Sequence, residues 1–520
     1  MPELGQLPAA VLGNGSLLAT ISARGVVEQL WWPHPDRARH DLALRTGVEV
    51  DGEVHWLDDE SFEWSQTYAD GAMVLRSCAR NHVVDVELVD LVVDGEPVLL
   101  RRVSSFVPGA RVRVECNSAG AQPAVRLDER HVVCAFGATA EQAAERAERF
   151  ARVPFEEVSP APVREARPPV ERSAADLYRR SLLVFDALAD RATGAVIAAP
   201  ELDPARVHSG GYGFVWARDL AYLTLAFLAA GRRDLAERAL RWFPTAQEPS
   251  GVWLQRHWTD GSAAPSWCAD QLDETAAVLV AYEAGWLELR DAALDAELWP
   301  SARAAADFLV GSLDDRSLPR NTFDLWEERQ GCHAYTAASF VGGLGAAAAM
   351  ARRHEPELAD GYAFAATCVG EATDRWFWSD EHGRYLRTLG DPTVDVSLLG
   401  LAWPFRAVDP AGERMRSTAA AVEAELSQLG GGMLRYAGDT YAGGNSWVLA
   451  RLWFGLWRRQ IGDANGHREA LAYAERVASP LGLLAEQVST EGCPVWVLPL
   501  AWSHAMLVLA SRPELDVVVT

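Results

Sequence analysis

Four stretches of the chain gather aromatic, acidic and arginine side chains without strand or helix periodicity: residues 212–219 (YGFVWARD), 267–274 (WCADQLDE), 323–328 (FDLWEE) and 434–441 (LRYAGDTY). A fifth, residues 484–505, adds Glu486, Gln487, Trp496 and Trp502. Such sets suit a sugar, whose apolar face packs on an aromatic ring while its hydroxyls bond charged groups. The covalent chemistry that accompanies them is cleavage of a glycosidic bond. That needs two carboxyl groups flanking the bond, one protonated and one ionised. With 72 acidic residues in the chain, composition and spacing do not choose the pair. Of the 20 tryptophans, Trp216, Trp253, Trp258, Trp267, Trp326, Trp447 and Trp502 lie in non-periodic stretches, whereas Trp242 and Trp286 fall on helical stripes and read as core.

Composition narrows the remaining possibilities. The 520 residues suffice for two or three cores. A net charge of −24 argues against nucleic acid, whose phosphates demand a basic footprint. All 48 basic residues are arginine. A Walker-type phosphate loop and Schiff-base chemistry both need a lysine that the chain lacks. Seven scattered cysteines without a C-x-x-C pair, and histidines without ligand spacing, predict neither a metal site nor a disulfide framework. Neither a signal peptide nor an uninterrupted apolar run of membrane-spanning length is visible, so the expectation is a cytoplasmic protein without a membrane partner. The sequence does not indicate an oligomeric state.

The elements that must position these stretches fall into two halves. Up to about residue 136, short runs rich in Val, Ile and aromatics (16–21, 26–32, 83–93, 98–106, 112–116, 131–136) alternate with turn residues. Among the turns are Ala23-Arg24-Gly25, Asp51-Gly52, Asp94-Gly95 and Pro108-Gly109. Many short strands with no intervening helix predict an antiparallel β-sandwich over residues 1–137. Residues 138–170 read as a connection: an Ala/Glu/Arg-rich helix, then a stretch with five prolines. From there to residue 520 the period is helical, for example Leu220, Leu223, Phe227 and Ala230 before Gly231. Further helices are expected near 172–190, 299–311, 334–352, 356–376, 412–428, 444–460, 466–478 and 500–511, approaching twelve in all. Each aromatic-acidic stretch would then lie at the entrance to a helix, all at one end of a helical assembly. Residues 343–348 (GLGAAA) imitate a dinucleotide fingerprint, but no strand precedes them, and small residues for helix packing explain them better.

In this order, the five stretches resemble glycoside hydrolase family 15, which contains glucoamylases, glucodextranases, isomaltose-cleaving enzymes and some trehalases. The resemblance covers residues from about 170 to 511, and the segment 12–33 with Gly13-Asn14-Gly15-Ser16 resembles the β-sandwich of bacterial members. It implies a multidomain chain whose residues 171–520 form an all-α (α/α)6 barrel. It implies Glu327 as general acid and Glu486 as general base of an inverting, exo-acting hydrolase that releases β-glucose from α-1,4- or α-1,6-linked oligosaccharides, without cofactor. It further implies substrate contacts from Tyr212, Trp216, Arg218, Asp219, Trp267, Gln271, Asp273, Trp326, Glu328, Arg435 and Trp502.

Local sequence is compatible with these roles. Leu325 and Trp326 offer Glu327 an apolar wall and Glu328 a like charge, both of which disfavour ionisation. The plainer reading of Asp324 and Glu327 is a capped helix start, and that of Glu486 an exposed loop residue. The chain departs from relatives at residues 493–497 (CPVWV) and Ala501, which are expected to reshape the pocket without removing the base. Gly438 stands where fungal glucoamylases carry an acidic residue, which puts the chain with the bacterial members, and Ser446 replaces a usual proline. His504 reads as a packed helix residue. Rival functions are an α,α-trehalase, a glycoside phosphorylase that needs no second carboxylate, and a sugar-binding protein without turnover.

Overall fold

Alternation with a period of two decides the first part of the chain. A computed structural model describes residues 7–512 apart from residues 70, 118–122, 129–130, 161–163, 171–173, 204, 207–208 and 269–270. Its strands in chain order are β1 (Ala10–Gly13), β2 (Leu18–Ile21), β3 (Val27–His34), β4 (Arg37–Val50), β5 (Glu53–Trp56) and β6 (Glu63–Tyr68). There follow β7 (Val74–Arg80), β8 (Asp85–Val92), β9 (Val98–Ser105), β10 (Arg111–Cys116), β11 (Ala124–Asp128) and β12 (His131–Ala135). One antiparallel sheet has the order β1-β2-β3-β4-β10, with β5 also on β4; the other runs β11-β12-β9-β8-β7-β6. The β4–β5 hairpin turns through Asp51 and Gly52, both at positive φ (51° and 86°), the backbone that a tight two-residue turn requires.

In the second sheet successive side chains go to opposite sides. Leu88, Leu99, Val103, Val132 and Cys134 join the layer shared with the first sheet. Val89, Leu91, Leu100, Val133 and Ala135 face a separate apolar layer that contains Ala147 and Phe155. That second layer is closed by helix α1 (Ala140–Ala151), which packs on β11 and β12. The helix expected as a mere connection is therefore a cover for the sheet.

One ion pair ties the layers together. Arg101 on β9 meets its cross-strand partner Asp90 on β8 through two bonds (2.7 and 3.1 Å) and donates to Thr46 on β4 at 3.0 Å. Both charges are buried. Asp90→Ala leaves a buried guanidinium uncompensated and should destabilise the fold by about 3–5 kcal/mol, read as a lower urea midpoint.

From Ala175 onward the structure is helical: α2 (Ala175–Leu188), α3 (Ala217–Ala230), α4 (Arg233–Ala246), α5 (Leu272–Leu289), α6 (Ala292–Gly311) and α7 (Ala334–His354). After these come α8 (Pro356–Trp376), α9 (Glu413–Leu426), α10 (Val448–Gln460), α11 (Ala464–Val477) and α12 (Ala501–Ser511). Helices α3, α5 and α7, the 3-10 segment Val396–Leu401, α10 and α12 each pack on the next, and α12 returns to α3. The ring is closed. The remaining helices lie outside it: α2 on α12, α4 on α3 and α5, α6 on α5 and α7, α8 on α7, α9 on the 3-10 segment, and α11 on α10 and α12. Every residue of α3 is buried, as befits a helix covered on all sides. Helix α7 is long and apolar enough by composition to cross a membrane, yet 83% of that window is buried among its neighbours, as in a core helix. Gly343 on α7 lets this packing close, because a Cβ there would sit 2.8 Å from the Ala276 carbonyl on α5.

The sandwich and the helices meet in close backbone contact. A Cβ on Gly13 would lie 2.9 Å from Ala187 of α2, and the Gly15 carbonyl accepts from the Arg191 amide at 2.7 Å. At the tip of the β3–β4 hairpin, Asp36 accepts from the Thr259 amide at 2.6 Å.

Candidate active site

Each of the five aromatic-acidic stretches runs into a ring helix: 212–219 into α3, 267–274 into α5, 323–328 toward α7, 434–441 toward α10 and 484–505 into α12. They converge on a cavity of about 340 Å³ at one end of the ring. Its lining includes Tyr212, Trp216, Arg218, Asp219, Trp267, Trp326, Glu327, Glu328, Arg435, Glu486 and Trp502.

Glu327 does not start a helix. It occupies the turn between the paired residues Thr322–Phe323 and Gln330–Gly331, with φ at +64°. A non-glycine residue held there is strained and persists only where its surroundings over-determine it. Asp324 does so: its carbonyl accepts from the Glu327 amide (2.9 Å), and its Oδ1 from the amides of Glu328 (2.8 Å) and Arg329 (3.2 Å). Gln271, expected in the pocket, lies behind this turn and donates to the Asp324 carbonyl at 2.6 Å.

On the cavity side, Glu327 Oε1 accepts from the Trp216 indole at 2.6 Å, and Oε2 accepts from the Gln255 amide. Arg218 Nη2 stands 3.7 Å from Oε1. Burial raises the Glu327 carboxyl above its ordinary value, while Arg218, Trp216, Arg256 and Gln255 draw it back. The apolar wall of Leu325 and Trp326 is as expected. The like charge is not: Glu328 is tied to Arg435 (2.8 Å), Tyr436 (2.5 Å) and Arg329 (3.0 Å), so its charge is already compensated.

Glu486 immediately precedes the middle strand of a small three-stranded sheet made of Ser446–Trp447, Gln487–Val488 and Pro494–Trp496. Its amide bonds the Val497 carbonyl (3.0 Å) and its carbonyl accepts from the Val448 amide (3.1 Å). Residues 493–497 thus back the base rather than line the cavity, and Trp496 supports Tyr212 edge-on at 6.2 Å. The Tyr212 hydroxyl lies 2.9 Å from both Glu486 oxygens and 3.0 Å from the Tyr441 hydroxyl. Tyr212 gives its single proton to the carboxylate and accepts from Tyr441. Burial pushes Glu486 up to about 8, against the Tyr212 and Gln487 hydrogen bonds and Arg435, with Asp219 pushing the same way as burial. His504 is a brace: burial lowers it to about 3, and its neutral ring accepts from the Leu484 amide (3.0 Å) while facing the Ser181 hydroxyl (2.8 Å).

Both carboxyls line one cavity, and turnover needs one protonated and the other ionised. Both are raised, so a pH profile of kcat/KM should be bell-shaped with its acidic limb above the ordinary glutamate value of 4.5. Activity falls as pH drops through that limb, because the base becomes protonated. Tyr212→Phe removes a donor to the ionised form and should move the limb further up. A limb unmoved or lowered in that variant would refute this account of Glu486.

The other side chains form two buried groups. Arg218 bonds Asp273 at 2.9 Å and lies 3.7 Å from Asp219 and 3.2 Å from Glu274. Asp273 is fully buried and outside the cavity lining, paired with Arg218, which is part of that lining. Burial pushes Asp219 up to about 7. Arg435 is fixed by Asp439 through two bonds of 2.8 Å and faces the rings of Trp326, Tyr441 and Trp447 at 5.3, 5.1 and 4.5 Å. Trp267, 47% exposed at the rim, donates to the Glu327 carbonyl at 3.3 Å. Gly438 lies at φ +82°, the left-handed region that favours glycine, which accounts for the missing acidic side chain there.

Sequence reasoning missed Tyr441 and Trp447 as lining residues, Gln255 as a partner of Glu327, and Asp395, which accepts from the Trp326 indole at 3.1 Å. Gln255 lies in WLQRHW, a loop of the same aromatic and charged composition as the five stretches.

Buried carboxyls, aromatic walls and fixed arginines around one cavity in a ring of helices are the equipment of a glycoside hydrolase. The chain belongs to glycosyl hydrolases family 15, whose model matches residues 172–249 and 238–467. It is 31% identical over 353 residues to an uncharacterized glycosyl hydrolase of Methanocaldococcus jannaschii, covering 64% of this chain and 55% of that protein. It is 27% identical over 386 residues to a glucoamylase of a Clostridium species, covering 65% of this chain and 52% of that protein. The matches thus span about half the length of these relatives. Among solved structures, a bacterial glucoamylase complexed with acarbose shares the fold at a TM-score of 0.82 and 18% identity, over 99% of this chain and 95% of that one.

Proposed function

We propose that the chain is an exo-acting, inverting α-glucoside hydrolase that removes β-glucose from the non-reducing ends of short α-1,4- or α-1,6-linked glucans, with residues 171–520 as an (α/α)6 barrel. The observation that carries this reading is that Glu327 and Glu486 line one cavity together with Arg218, Asp219, Tyr212 and Trp216. Glu327 protonates the glycosidic oxygen as the C1–O bond breaks. Glu486 takes a proton from a water that attacks C1 from the opposite face, so the configuration inverts. The Tyr212 and Trp216 rings flank the site where positive charge develops on the sugar. Arg218 and Asp219 hold the hydroxyls of the terminal ring. The similarity to a glucoamylase supports an α-glucosidic substrate.

Glucose release from maltose, isomaltose and trehalose tests the reading. Turnover of maltose or isomaltose is expected. Turnover of trehalose alone would make the chain a trehalase, and failure on all three would overturn the proposal.

A further inference from the structure

The pocket leaves one question about its acid open: what keeps the proton of Glu327 directed at substrate rather than into the protein. A buried carboxylic acid surrounded by polar groups donates its proton to whichever acceptor is nearest. Around Glu327 the Trp216 indole can only donate. The Gln255 amide could present either end.

Gln255 is fully buried, and its Oε1 faces the Cys268 amide at 3.4 Å and the Ser266 hydroxyl. For that hydroxyl's one proton it competes with the Cys268 carbonyl at 2.6 Å, while the hydroxyl oxygen accepts from the Cys268 amide at 3.1 Å. A backbone N–H cannot accept, so it pins the oxygen end of the amide away from Glu327. The nitrogen end then meets Glu327 Oε2. Each carboxyl oxygen of Glu327 therefore faces a donor, Trp216 on Oε1 and Gln255 on Oε2. Neither can take the acid's proton, and the direction left to it is the open cavity.

We propose that Gln255, locked by Ser266 and the Cys268 amide, is a positioning residue that keeps the Glu327 proton directed at the leaving group. With the amide reversed, its carbonyl would accept that proton and withdraw the acid from the reaction. The inference rests on the reading of Glu327 as general acid. Burial and the two donors act in opposite senses on this carboxyl, so losing one donor also raises it further.

The test compares Gln255→Met, which keeps the length of the side chain and loses the amide, with the wild type on two substrates. Maltose requires full protonation of its leaving group, whereas 4-nitrophenyl α-glucoside expels a phenolate that needs little. The expected result is a kcat about 10- to 100-fold lower on maltose, a much smaller loss on the nitrophenyl glucoside, and an alkaline limb of the kcat profile moved up. Equal losses on both substrates, or no loss on either, would overturn the proposal. If Gln255→Met does not fold, Ser266→Ala, which frees the amide to reverse, must show the same selective loss on maltose, and equal losses there count against it. Failure of the acid assignment itself would show separately, as a Glu327→Gln variant that keeps wild-type turnover on maltose.

Discussion

Glu327→Gln should lower kcat on maltose by about 10²–10⁴-fold, the range of a lost general acid, while KM changes little. The variant side chain has nearly the same shape, but its amide can offer only one oxygen to the two donors that face it. One of the Trp216 and Gln255 hydrogen bonds must therefore be replaced by a donor–donor contact. That local cost should leave the fold intact, since the turn is held by backbone bonds to Asp324 and not by the carboxyl. Steady-state kinetics with maltose, beside a melting curve, measures both. A variant with wild-type kcat would leave the pocket without its acid.

Glu486→Ala should cost a similar factor, about 10²–10⁴-fold, through a different step. The side chain that orders and deprotonates the attacking water is gone, and the Tyr212 hydroxyl loses its acceptor. Azide, already an anion, needs no base. It should enter the vacated space, attack C1 as the C1–O bond breaks, and leave the proton transfer from Glu327 to the leaving oxygen intact. The expected product is the β-glucosyl azide, with turnover partly restored. Azide should do nothing for Glu327→Gln. Rescue of that variant instead would reverse the two roles.

How much of this was legible beforehand depends on the kind of residue. The helices announce themselves where one face repeats, as with Leu235, Ala239, Leu240 and Phe243 on α4. The ring member at Val396–Leu401 does not: its six residues are all buried, and a run covered on every side carries no period. Strand β7 is not among the expected runs although buried and exposed positions alternate over most of its length, because Arg76, Ser77 and Arg80 make its sequence read as polar. At the site, the clustering of tryptophan and acid in loops revealed where chemistry would gather. What sequence could not supply was depth. Gln271 and Asp273 stand at the spacing of substrate contacts, yet one braces the Glu327 turn and the other neutralises Arg218 from behind. Only packing of α5 against its neighbours decides which side chains reach the cavity. The same holds for Gln255: the composition of WLQRHW marks the loop but not which of its side chains reaches Glu327.

The central claim is stereochemical, so the most direct measurement is a proton NMR time course of the first glucose formed from maltose, taken before mutarotation. Two carboxyls acting across the ring with water between them must give the β-anomer first, with the α-anomer growing in later at the rate of free glucose. An initial α-anomer would mean that one carboxyl attacks the sugar itself, and the roles given to Glu327 and Glu486 would be wrong.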